Sequence, residues 1–147
     1  LAIEISLLRQ IKGIKDAVLC IHIQSGGGEQ YYADEMVRLL NTAHSDGLMT
    51  VGVAYGKVHS ASLKVFVACM FRPSRNNPSF LIHHIGGVKA GAEERALNAE
   101  MDFFRYIGTR TLLRPKKLIQ LADANNKKGT YLSLEEAKAY EIVNIEY

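Results

Sequence analysis

The sequence predicts an α/β fold with a largely parallel sheet, and two observations lead there. Short apolar, β-rich runs alternate with helical patterns in the order strand, helix, strand, helix, strand, helix. The unusual residues also gather where those strands end, at Ser25–Gly28, Gly56–Ser60 and His83-His84. Right-handed crossovers place such strand ends on one edge, where open α/β sheets build their sites.

The elements follow in order. Residues 1–12 carry Leu1, Ile5, Leu8 and Ile11 at helical spacing. The compact run from Asp16 to Gln24 reads as a buried strand, stopped by Ser25 and three glycines. Residues 29–45 form a helix with Met36, Leu39, Leu40 and Ala43 on one face. A second buried strand spans Leu48 to Tyr55 and ends at Gly56, and 60–70 is the next helix. A polar, Pro-containing loop covers Arg72 to Pro78. The strand from Ser79 to His84 then ends at Gly86-Gly87. A long helix runs over about 90–106, and a shorter one starts near Pro115, a favourable first helical position. A strand begins at Tyr131. Ser133 with Glu136 three residues on forms a capping box, its helix reaches about Tyr140, and a last strand lies near Ile142–Ile145.

The 147 residues make one domain, 1–147, long enough to bury about two-thirds of the unfolded surface. A net charge of +3, with the basic residues scattered, does not point to nucleic acid. No apolar run approaches the length of a membrane span. Cys20 and Cys69 sit in the apolar runs VLCIHI and FVACMF and read as buried, reduced thiols. The chain starts at Leu1 without a basic leader, so a processed, removed or unobserved N-terminus and a cytoplasmic or organellar compartment are expected.

Three features carry chemistry. Gly26–Gly28 lets the backbone approach a ligand and exposes N–H donors for a phosphate or an oxyanion, or serves as a plain turn. It has neither dinucleotide-fingerprint nor P-loop spacing. Ser60 stands after a strand at a helix N-terminus, the position of a helix cap or of a nucleophile whose following amide, Ala61, faces a developing oxyanion. Ser62 competes with it. His59 adjoins Ser60, and adjacent side chains diverge, which makes it a poor base for that serine. His83 and His84 point to opposite faces of their strand, which argues against joint metal ligation. One of them can meet Ser60 as a base across neighbouring strand ends.

Four motifs in order resemble the proteolytic subunit of the Clp protease over nearly the whole chain. The family strand I-N-S-P-G-G is Ile23-Gln24-Ser25-Gly26-Gly27-Gly28 here, and its G-x-A-A-S-M is Gly56-Lys57-Val58-His59-Ser60-Ala61. Its P-N-S-x-x-x-I-H strand corresponds to Asn77–His83 before Gly86-Gly87. Its closing F-L-S-A-x-E-A-x-E-Y-G-L-V-D corresponds to Tyr131–Asn144, Y-L-S-L-E-E-A-K-A-Y-E-I-V-N. The resemblance implies a crotonase-like α/β spiral of repeated β-β-α units, with the long helix as a protruding handle that joins two rings. It implies Ser60 as nucleophile, His83 as general base, and the Gly28 and Ala61 amides as oxyanion donors. It further implies peptide substrates, a homo-oligomer of stacked seven-membered rings, an AAA+ unfoldase partner, and no cofactor or metal.

Departures accompany the match. The family's histidine-orienting Asp falls on Gly129, with Asp123 and Asn126 nearby but out of register, and Lys128 lacks that Asp as a partner. Gly26 replaces a Pro, Val58-His59 replaces Ala-Ala, the handle is shorter, and the axial N-terminal segment of the family is absent from the sequence. Three readings follow: a serine endopeptidase acting through a Ser60 acyl-enzyme, with Asp123 or Asn126, or no third group, orienting His83; a degenerate structural subunit of that fold; and a crotonase-type acyl-CoA enzyme.

Overall fold

The computed structural model describes residues 17–88 and 90–145. The helix expected over 1–12 lies outside them. Along the described residues the order is β1 (Val18–Ser25), α1 (Gln30–Ser45), β2 (Met49–His59), α2 (Ala61–Ala68), β3 (Ser74–Ile82), α3 (Glu93–Arg110), α4 (Pro115–Lys127), β4 (Thr130–Leu132) and α5 (Leu134–Ala139). The strands form one sheet in the order β1-β2-β3-β4. β1, β2 and β3 run parallel, and β4 joins β3 antiparallel. α1 and α2 are the crossovers that parallel pairing demands, so the expected α/β architecture is present.

α1 packs through Ala33, Val37, Leu40 and Ala43, one face at helical spacing. α2 is buried at all eight positions, Lys64 included, and forms the centre of the core. Phe66 of α2 meets Phe80 of β3 with ring centroids 5.9 Å apart. Of α3, only Phe103, Phe104 and Ile107 are buried. α5 carries the expected capping box: Ser133 Oγ accepts from the Glu136 amide at 3.2 Å, and Glu136 Oε2 accepts from the Ser133 amide at 2.8 Å.

Several expectations need correction. β2 does not stop at Gly56 but continues to His59. Gly56, at φ 68°, absorbs a register shift between Tyr55 and Lys57, after which pairing resumes. The polar segment expected as a loop is largely strand, since β3 begins at Ser74. Asn76 and Asn77, at φ 56° and 47°, form the facing irregularity, so Tyr55 pairs with Arg75 and Lys57 with Ser79. No strand forms near Ile142–Ile145. There the amides of Ile142 and Val143 close the end of α5 on the Ala137 carbonyl, at 2.8 and 3.2 Å. Cys20 is exposed rather than buried, because β1 is an edge strand with one open face, whereas Cys69 is buried. Burial pushes the Cys69 thiol up to about 12.

Arg72 locks the C-terminal turn to the core. Only 5% exposed, it donates to the carbonyls of Ile142 (2.8 Å), Glu141 (2.8 Å), Cys69 (3.0 Å), Arg110 (3.2 Å) and Val67 (3.4 Å). Its amide donates to Asn144 Oδ1 at 2.7 Å, and the Asn144 amide donates back to the Arg72 carbonyl at 3.2 Å. Burial, and then the nearby Arg110, lower its pKa.

Candidate active site

Because β2 runs on to His59, Ser60 stands directly between a parallel strand and a buried helix. Its backbone, at φ 55° and ψ −128°, lies where L-residues rarely go. Such strain costs on the order of 1–3 kcal/mol and persists only where the surroundings fix it. Here they do: the Ser60 amide donates to the Leu81 carbonyl at 3.1 Å, and its carbonyl accepts from the Leu63 amide at 2.9 Å. The hydroxyl makes no capping bond to α2. Ser60 is therefore at the cap position without doing a cap's work.

The glycine run lies against this serine. A Cβ on Gly27, whose φ is +104°, would sit 2.8 Å from Ser60 Cβ and 3.3 Å from its Oγ. Only glycine permits that approach. Ser62 stitches the two segments together, donating to the carbonyls of Ser25 (3.1 Å) and His59 (2.8 Å). That engaged, buried hydroxyl leaves Ser62 poorly placed as a nucleophile. Among the described residues the Gly28 amide has no acceptor, and Ala61 begins α2, where helix amides have no partner within the helix. Gly28 and Ala61 line one cleft of about 370 Å³, with Ile21, Tyr32, Met36 and Val65 on its walls.

His83 follows β3, two residues beyond the carbonyl that holds the Ser60 amide. Its ring has no hydrogen-bond partner among the described residues, Ser60 included. His59 is engaged elsewhere: Nε2 meets Ser79 Oγ at 2.8 Å, and the ring stands edge-on to Tyr131 at 5.4 Å. Burial, then Lys57 and His83, lower its pKa.

No carboxylate reaches His83 from position 129. Gly129, at φ +87°, lies so close that a Cβ there would sit 2.3 Å from the Ile82 carbonyl oxygen and 2.6 Å from His83 Cβ. Its backbone occupies the space an orienting side chain would need. Asp123 meets His84 instead, with Oδ1 at 2.9 Å from Nε2. Asn126 sits in the left-handed turn that ends α4, at φ 57°. Sequence reading found neither partner of His84; besides Asp123, its Nδ1 lies 2.9 Å from Glu100 Oε1 of α3, whose Oε2 accepts from the Ile85 amide at 2.7 Å. The sixteen-residue separation of His84 and Glu100 leaves no local signal for that contact. Among the described residues no group of three or more His, Cys, Asp and Glu side chains could hold a metal ion.

The architecture matches solved structures along the chain's length. A point mutant of ClpP1 from Listeria monocytogenes aligns over 99% of this chain and 82% of its own, with TM-score 0.83 and 24% identity. The fold is that of the Clp protease proteolytic subunit. A peptidase from Plasmodium falciparum aligns over 99% of this chain and 89% of its own, with TM-score 0.71 and 13% identity. No protein-family model and no curated protein matches the sequence. No helix among the described residues is long and apolar enough to cross a membrane.

Proposed function

We propose that this ClpP-like fold is a serine peptidase subunit that cleaves peptide bonds through an acyl-enzyme on Ser60. One observation carries the reading: Ser60 holds a strained strand-to-helix turn while its hydroxyl caps nothing. A serine raised on such a turn, beside a glycine-rich strand end, is the arrangement of a nucleophile elbow. Its neighbours supply the other parts. The Ala61 amide and the α2 N-terminus favour negative charge on a tetrahedral intermediate, and the Gly28 amide is a second donor. His83, at the adjacent strand end, takes the Ser60 proton and returns it to the leaving amine. The cleft beside Gly28 has walls suited to an apolar peptide side chain. The resemblance to the Clp subunit supports stacked rings and an ATP-driven unfoldase partner for this chain.

A second reading is favoured by Gly129 and by His83, whose ring has no hydrogen-bond partner among the described residues: a scaffold subunit of the same fold. Loss of the orienting acid from a serine triad lowers turnover by about 10⁴-fold. The two separate on hydrolysis of short fluorogenic peptides by the purified assembly. A peptidase gives turnover that Ser60→Ala abolishes. A scaffold gives none in either protein, whatever the assembly state.

A further inference from the structure

Among the described residues no carboxylate meets the His83 ring, but its neighbour has two. His84 is gripped from both sides, by Glu100 of α3 at Nδ1 and by Asp123 of α4 at Nε2, both at 2.9 Å. Glu100 uses its other oxygen on the Ile85 amide, so one carboxylate holds two consecutive residues of the strand end. The Phe104 ring stands edge-on to His84 at 6.3 Å, and Gly129 packs on the His83 backbone from the β4 side. Residues 83–85 are thus fastened to both helices at the point where His83 leaves the sheet.

We propose that His84, clamped between Glu100 and Asp123, is the positioning residue for His83 and does the work of the carboxylate missing at Gly129. This rests on the reading of Ser60 and His83 as nucleophile and base. The clamp needs both imidazole nitrogens to donate, because both face carboxylates, and the ring must therefore carry its second proton. The charged groups facing it are Glu100 from α3 and Asp123 from α4, with His83 its neighbour in the chain. Burial works against the proton, but the hydrogen bonds and charges of Glu100 and then Asp123 outweigh it, and the pKa of His84 is raised. A group whose folded pKa is raised contributes its stabilisation at low pH and loses it as pH rises through the folded value. Above that value one ring nitrogen presents a lone pair to a carboxylate and the clamp opens. The device is therefore a pH-sensitive brace, closed on the acid side of His84's own titration.

Histidine-selective NMR and fluorophosphonate labelling of Ser60, both on the assembled protein across pH, test this together. The His83 signals are expected to shift in step with the His84 titration, and the labelling rate to fall along an alkaline limb at the same pH. Glu100→Gln and Asp123→Asn should lower the His84 pKa and carry that limb down with it. His84→Gln should remove the limb and slow labelling about 10- to 100-fold, the order expected for a small misplacement of a reacting group. An alkaline limb that stays in place while the His84 pKa moves would overturn the proposal. If Ser60 takes no probe in any variant, the peptidase reading fails on its own. The brace is then judged by NMR alone: it stands if His83 follows His84 and falls if His83 ignores it.

Discussion

Placing an acid at position 129 should damage this protein rather than improve it. Gly129 is at φ +87°, and an added Cβ would lie 2.3 Å from the Ile82 carbonyl oxygen and 2.6 Å from His83 Cβ. A non-glycine residue at such a dihedral costs roughly 1–3 kcal/mol. Forcing atoms into a packed site costs about another 1–3 kcal/mol. Gly129→Asp should then lose about 2–6 kcal/mol, a large part of the 5–15 kcal/mol typical of a domain. For a chain of this size that is a fall in Tm of about 5–20 °C. Scanning calorimetry reads the loss, and peptide turnover, wherever the parent protein shows any, should fall with it. Gly129→Ala should show most of the same loss, because the conflict begins at Cβ. An Asp variant with unchanged Tm and raised turnover would refute the reasoning, since the backbone would then have yielded to re-form an acid–histidine pair.

Other consequences are direct. Arg72→Met takes the side-chain donor from the carbonyls of Ile142, Glu141, Cys69 and Arg110, while Val67 keeps Arg110 Nε at 3.1 Å, and at about 1–3 kcal/mol for each buried group left unsatisfied the loss should be on the order of 3 kcal/mol or more in urea unfolding. Gly27→Ala places a methyl 2.8 Å from Ser60 Cβ at a φ of +104°, and should slow covalent labelling of Ser60 about 100-fold and lower Tm as well. Ser133→Ala removes the α5 cap and should cost about 1 kcal/mol by the same denaturation assay, with no change in labelling rate.

The parts of the site legible in the sequence are those encoded locally. Three glycines after a β-rich run read as room for a ligand or as a plain turn, and the structure sets Gly27 close against Ser60. A serine between strand and helix patterns announced a cap or a nucleophile. Nothing in the string tells those two apart, because the difference lies in a φ of 55° fixed by the Leu81 carbonyl of another strand. The strand limits failed where irregularities interrupt the period. Gly56 read as a stop and is a bulge, and Asn76-Asn77-Pro78 read as a loop and is the facing irregularity. Ile142–Ile145 has β-branched residues, yet the amides of Ile142 and Val143 serve a helix end and their side chains fill the core. Burial of Cys20 was inferred from apolar neighbours, whereas strand alternation at a sheet edge turns it outward. The Glu100–His84–Asp123 cluster joins two helices and the segment after β3 through tertiary packing and had no sequence signature.

The role of Ser60 is tested most directly by where an active-site probe reacts. The purified assembly is treated with a fluorophosphonate and the adduct is located by peptide mass spectrometry. The expected result is a single adduct on Ser60, absent in Ser60→Ala and formed far more slowly in His83→Ala. An adduct on Ser62, or none in an intact assembly, would contradict it.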